Sequence, residues 1–186
     1  MDHPKTNEPM PQSAAQSLHS WCHDLIVCLT IVTLLFVFVV RLVNVDGESM
    51  LPTLKNADKV VLLSGLLYEP ENGDIVVLRA PGYEDQPLVK RIIATAGQTV
   101  DIDFQSGVVY VDGVALDEPY TAEPTYREGN LPFPQVIEEG CVFVLGDNRN
   151  ASSDSRFSSV GQVREEMILG KALLVLWPLS NFKIPA

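Results

Sequence analysis

Three kinds of apolar pattern follow one another along the chain. Residues 1 to about 20 carry Pro4, Pro9 and Pro11 among polar side chains with no apolar period, which predicts a loose tail. From Leu25 to Val40 there is no charge, and the only polar residues are Cys28, Thr30 and Thr33. With Leu42 and Val43 beyond Arg41, the stretch approaches the roughly 20 residues that a membrane-spanning helix needs. A core helix would show a polar face, and none is visible. A cleavable signal would end in a small-x-small site, and Arg41-Leu42-Val43-Asn44-Val45 offers none. The expected division is a tail over 1–24, a permanent transmembrane anchor over 25–45 and a folded domain over 46–186.

Beyond the anchor the pattern changes to short β-like runs with turn punctuation. Val60 to Leu63, Asp74 to Leu78, Leu88 to Thr95, Thr99 to Phe104, Cys141 to Leu145 and Met167 to Leu176 each read as strands. Val108 to Val111 turns at Asp112-Gly113 into Val114 to Leu116, a short-range hairpin signal. No long amphipathic helix is predicted after residue 45. The fold class expected is mostly β: antiparallel sheets in a barrel-like or sandwich domain behind one N-terminal transmembrane helix. Asp117 to Glu139, rich in Pro, Glu and Gly, reads as an irregular surface excursion.

Charge and cysteines narrow the possible partners. A net charge of −11 over 186 residues argues against nucleic acid, which needs basic patches. It also argues against a polybasic grip on anionic lipid. Cys22, Cys28 and Cys141 are scattered and have no metal-ligand spacing, so no disulfide framework, metal or cofactor is expected. Lys5 alone precedes the span, whereas Arg41, Lys55 and Lys59 follow it. By the positive-inside rule the domain would be cytoplasmic, but that rule loses force before a long folded domain.

The candidate chemistry starts at Ser49, between Glu48 and Met50, with Pro52 stiffening the backbone beyond it. Ser49 is either a nucleophile near a lipid surface or an ordinary turn serine. A serine nucleophile needs a base. His3, His19 and His23 all precede the span, so a histidine partner would have to act across the membrane. Lys90 is the best remaining candidate. Strand alternation puts it on the apolar face of Leu88 and Ile92, with Arg91 pointing the other way beside Val89 and Ile93. At its ordinary pKa only roughly one lysine in a thousand is neutral near pH 7, and burial would raise that fraction. The alternative is that Lys90 snorkels to solvent at a sheet edge. The dense polar loop Gly146-Asp147-Asn148-Arg149-Asn150-Ala151-Ser152-Ser153-Asp154-Ser155-Arg156 offers hydroxyls to an amine, and Asp154 and Arg156 can pair to stiffen it.

Taken in order, Ser49-Met50-Leu51-Pro52-Thr53, Gly73-Asp74-Ile75-Val76, Lys90-Arg91 and the loop from Gly146 to Arg156 resemble the motif boxes of type I signal peptidases. The resemblance runs from about residue 25 to 178. The short stretch between Lys90 and Gly146 is similar to the compact, single-span members typical of Gram-positive bacteria. It implies that Ser49 is the nucleophile and Lys90 the general base. Ser152 would orient the lysine amine, Asp154 and Arg156 would form a supporting ion pair, and Asp147 and Arg149 would stabilise the same loop. The Ser49 N–H would donate to the oxyanion. Gly47 stands where some members carry a second, hydroxyl donor.

The resemblance further implies a membrane-anchored serine endopeptidase with its domain on the extracytoplasmic face. Its partners would be membrane lipid and the signal peptides of secreted precursors, cut after small residues in an Ala-x-Ala pattern. Val45, Met50, Leu54 and Val89 flank the catalytic pair and are either pocket walls or plain core. Two other readings compete. One is a self-cleaving serine–lysine protein of related fold, against which the anchor argues. The other is an inactive, anchored signal-peptide-binding protein, which the intact Ser49, Lys90 and Ser152 disfavour.

Overall fold

The computed structural model describes residues 14–83 and 86–185. The tail up to residue 13, with His3 and Lys5, lies outside the described residues. The chain forms two compact units, Met1–Phe38 and Val39–Ala186.

Among the described residues, the first unit holds one helix, α1 (Ala14–Phe38), which starts earlier than the expected anchor. Its segment Gln16–Phe36 is long and apolar enough to cross a membrane, and its side chains are unburied. At 1.5 Å per residue these 21 residues span about 31 Å, close to the thickness of a bilayer's hydrocarbon core. The Thr30 and Thr33 hydroxyls donate to the carbonyls of Ile26 and Leu29, at 2.8 and 2.7 Å. This satisfies both polar groups inside the helix without water.

Leu42 and Val43 do not continue the span. They lie in β1 (Val40–Asn44), which pairs antiparallel with β2 (Lys59–Ser64), Leu42 opposite Val61 and Val43 opposite Val60. A hydropathy reading counts such residues with the span because it cannot register strand partners as distant in sequence as Val60 and Val61.

The second unit is built of antiparallel strands throughout. The remaining strands are β3 (Ile75–Leu78), β4 (Leu88–Thr95), β5 (Thr99–Asp103), β6 (Val108–Val111), β7 (Val114–Ala115), β8 (Gln135–Val136), β9 (Cys141–Leu145), β10 (Val163–Arg164) and β11 (Ile168–Trp177). A seven-stranded sheet has the order β1-β2-β11-β3-β4-β9-β10, and a four-stranded sheet the order β7-β6-β5-β8. Register shifts in β11 and between Ile92 and Ala94 of β4 are the bulges that curl the larger sheet. Asp112 and Gly113 both have positive φ, 52° and 77°, as a two-residue hairpin turn of this hand requires.

Burial follows the strand period. In β9, Val142 and Val144 pack with Val76 and Ile92 on one face, while Phe143 and Leu145 pack with Val100 and Val109 of the smaller sheet on the other. Both faces are covered, so β9 reads as a continuous apolar run rather than an alternating one. In β3, Val76 and Leu78 join that first cluster, and Ile75 and Val77 join another around Met50 and Leu54. The excursion from Asp117 to Glu139 is irregular apart from β8, but it is not merely superficial. Thr125 and Ile137 are buried, and Glu118 reaches an arginine of the polar loop.

Candidate active site

Ser49 sits in a tight turn between β1 and β2. The Leu51 N–H donates to the Glu48 carbonyl at 3.2 Å and the Leu54 N–H to the Met50 carbonyl at 2.8 Å. Met50 and Leu54 are buried beneath the turn, which anchors it to the core, while Ser49 itself is partly exposed. The polar loop grips the turn from the other side. The Asn148 N–H donates to the Ser49 carbonyl at 3.0 Å, and the Asn148 amide to the Glu48 carbonyl at 3.1 Å. Two segments a hundred residues apart are thereby locked together at the serine.

Lys90, in the middle of β4, is 2% exposed. Its amine donates to Ser49 Oγ at 2.9 Å and to the Val89 carbonyl at 3.0 Å. Burial pushes the amine pKa down to about 8, with Asp154 and Asp147 opposing that fall and Arg156 adding to it. Desolvation outweighs the nearby carboxylates because a buried charge loses its hydration. About a tenth of such an amine is neutral at pH 7. The pair can therefore move a proton from the hydroxyl to the amine in neutral water.

The loop is braced by three ion pairs, two of them fully buried and the third part-buried at Glu118. Arg156 meets Asp154 through two hydrogen bonds of 2.8 Å and also donates to the Arg127 and Arg149 carbonyls. Asp154 in turn accepts from the Gly146 N–H at 3.1 Å. Asp147 and Arg149 do not pair with each other; each reaches outside the loop. Asp147 receives Arg91 at 2.9 and 2.8 Å, together with the Thr53 hydroxyl. Arg149 binds Glu118 through two hydrogen bonds and Thr125 at 2.9 Å. Charges so deeply buried are tolerated because each has an opposite charge and further hydrogen bonds.

Arg91 is buried, and it ties β4 to Asp147. A guanidinium follows a buried carboxylate, which strand alternation cannot anticipate. Ser152 is buried near the site, but its hydroxyl has no hydrogen-bond partner among the described residues and is not bonded to Lys90. The Lys90 amine is turned to Ser49 and its neighbouring carbonyl instead. Glu118, Tyr120 and Thr125 were not anticipated. The Tyr120 ring lies 3.9 Å from the Arg91 guanidinium, and burial pushes its phenol above the usual range. Within residues 146–156 two arginines are already matched in number by two aspartates, so that loop gave no signal of partners in the excursion.

Beside the dyad an apolar groove of about 410 Å³ is lined by Val43, Leu62, Val77, Leu88, Val89 and Leu169, with Arg41 and Asp46 among its polar residues. Of the four flanking apolar residues, Val89 lines this groove, whereas Val45, Met50 and Leu54 lie in the core cluster under the turn. Gly47, two residues before Ser49, has φ of 95° and donates its N–H to Asn56 at 3.1 Å.

The family model described as signal peptidase, peptidase S26, matches residues 18–177. A Synechocystis protein named "Probable signal peptidase I-1" is 38% identical over 95% of this chain and 90% of its own length. Signal peptidase I S of Bacillus subtilis is 32% identical over 92% of this chain and 95% of its own. A crystal structure of a signal peptidase I from Enterococcus faecalis is 29% identical, with a TM-score of 0.44 over 56% of this chain and 97% of that one. The chain belongs to the signal peptidase family, peptidase S26.

Proposed function

We propose that this chain is a membrane-anchored serine endopeptidase that removes signal peptides from translocated precursors, with Ser49 as nucleophile and Lys90 as general base. The observation that carries the reading is the buried Lys90 amine 2.9 Å from Ser49 Oγ. The neutral amine takes the hydroxyl proton as Oγ attacks the scissile carbonyl. The Ser49 N–H donates to the oxygen on which charge develops. The ammonium then passes its proton to the leaving amine, releasing the mature chain and leaving an ester on Ser49. Water, deprotonated by the same amine, hydrolyses the ester and frees the signal peptide.

Asp154 with Arg156, Asp147 with Arg91, and Arg149 with Glu118 hold the loop that clamps the Ser49 backbone. Ser152, a buried serine of this loop whose hydroxyl is free among the described residues, would orient the amine on turning toward it. The apolar groove takes the small side chains before the cut in an Ala-x-Ala pattern, with Val89 as a wall and Val45, Met50 and Leu54 as the support beneath. The helix Gln16–Phe36 anchors the enzyme, and membrane lipid and signal peptides are its partners.

Purified full-length protein in detergent should cut a precursor with an Ala-x-Ala site after the second alanine, read by mass spectrometry. Ser49→Ala and Lys90→Met should each lower cleavage by about a thousandfold or more while circular dichroism stays unchanged. The double variant should lose little more, because members of one catalytic unit are not additive. Substantial cleavage by Lys90→Met would remove lysine as the base.

A further inference from the structure

The serine turn borders a second depression that the dyad does not use. It is a cavity of about 340 Å³ lined by Pro52, Thr53, Tyr120, Lys183, Ile184 and Pro185. Pro52 and Thr53 follow Ser49 by three and four residues. The apolar groove, in contrast, is reached through Asp46 and Val89, which precede Ser49 and Lys90. At no more than about 3.8 Å between successive Cα atoms, Pro52 lies within about 11 Å of Ser49. A substrate lying across the serine covers that distance with the second to fourth residue after the scissile bond.

The lining has a definite chemistry. Pro52, Ile184 and Pro185 supply apolar walls, and the polar groups of its other members are mostly engaged. The Thr53 hydroxyl is held by Asp147, and the Tyr120 hydroxyl donates to Glu118 at 3.1 Å. Glu118 itself is paired with Arg149. Lys183 is the exception. Its backbone is fixed to β11, its carbonyl accepting from the Val175 N–H at 2.8 Å, yet its amine makes no ion pair among the described residues. On a chain of net charge −11, a half-buried cation with no ion-pair partner among the described residues marks a place where an acidic group is attracted rather than repelled.

We propose that this cavity receives the mature side of the cleaved polypeptide, and that Lys183 makes it favour an acidic side chain at the second, third or fourth residue after the scissile bond. The inference rests on the peptidase reading above and adds a specificity to it. The ion pair is partly solvated, so discrimination is modest: about two- to fivefold, the range measured for such pairs.

The test uses the full chain in detergent and peptides that share one Ala-x-Ala site. They differ only in Glu or Lys at the second, third or fourth residue after it. At one of these positions the Glu peptide should have a kcat/KM about two- to fivefold higher at low salt. The ratio should fall toward one near 1 M salt, because screening weakens an exposed pair, and Lys183→Glu should invert it. A ratio of one at all three positions in the unaltered protein overturns the subsite, as does a ratio that survives Lys183→Glu. If Lys183→Glu leaves the ratio alone but weakens binding to phosphatidylglycerol vesicles, Lys183 serves a lipid headgroup and the subsite is likewise overturned. Failure to cut any of the peptides would remove the peptidase reading, and the subsite with it.

Discussion

At the level of single residues, the proposed chemistry turns on how a lysine becomes a base near neutrality. Lys90 is buried with its amine against a hydroxyl and a carbonyl, neither of which compensates a full positive charge. The neutral form is favoured, and the pKa falls to about 8. Because the working form is the deprotonated one, kcat/KM should rise as pH passes through about 8 and then level off. A histidine base would put the rise near its ordinary value of about 6.5. Replacing His3, His19 and His23 together should therefore leave the profile in place, as measured on one peptide from pH 6 to 9.5. A profile that moves with the histidines, or a rate that falls between pH 7 and 9 while the protein stays folded, would rule the lysine out.

Elements matter because the dyad is assembled from pieces that cannot find each other locally. β4 delivers Lys90 to the serine and, one residue later, Arg91 to Asp147 at the start of the loop. At Gly146 the loop packs directly against the serine turn. A Cβ there would lie 2.6 Å from the Ser49 carbonyl oxygen and would collide with the Ser152 side chain. Nothing flexible is available to yield on the Ser49 side, since that carbonyl already accepts from Asn148. Gly146→Ala should cost about 1–3 kcal/mol, as overpacking of a dense interior does, and should lower cleavage at least tenfold by displacing Ser49 from Lys90. Thermal unfolding and kcat on the same preparation check both parts. An alanine variant that melts lower yet cleaves normally would show that the contact supports the fold but not the serine.

For the whole molecule, the question is which side of the membrane the peptidase unit occupies. The basic residues Arg41, Lys55 and Lys59 after the span favour the cytoplasm by count, but they belong to a folded domain and not to a short loop. On the proposed function, precursors become substrates only where their mature parts have been delivered, and the unit is then expected outside. Protease added to intact spheroplasts should digest the unit after Arg41 and spare an N-terminal tag. Digestion only after the membrane is broken would place the unit inside.

The sequence by itself determined whatever depends on neighbours along the chain. The apolar helix was visible as a run without charge, the strands as alternation, and the Asp112-Gly113 turn as residues that tolerate positive φ. Ser49, Lys90 and the loop from Gly146 to Arg156 were legible because motifs preserve residue order. Tertiary structure decided what depends on distant partners. Leu42 and Val43 became a strand because β2 offers them an edge. Arg149 found Glu118 and Arg91 found Asp147, because a buried charge seeks whichever opposite charge the fold places beside it. Val45, Met50 and Leu54 went under the turn while Val89 stayed at the groove, a choice between core and pocket that identical apolar chemistry cannot announce in advance.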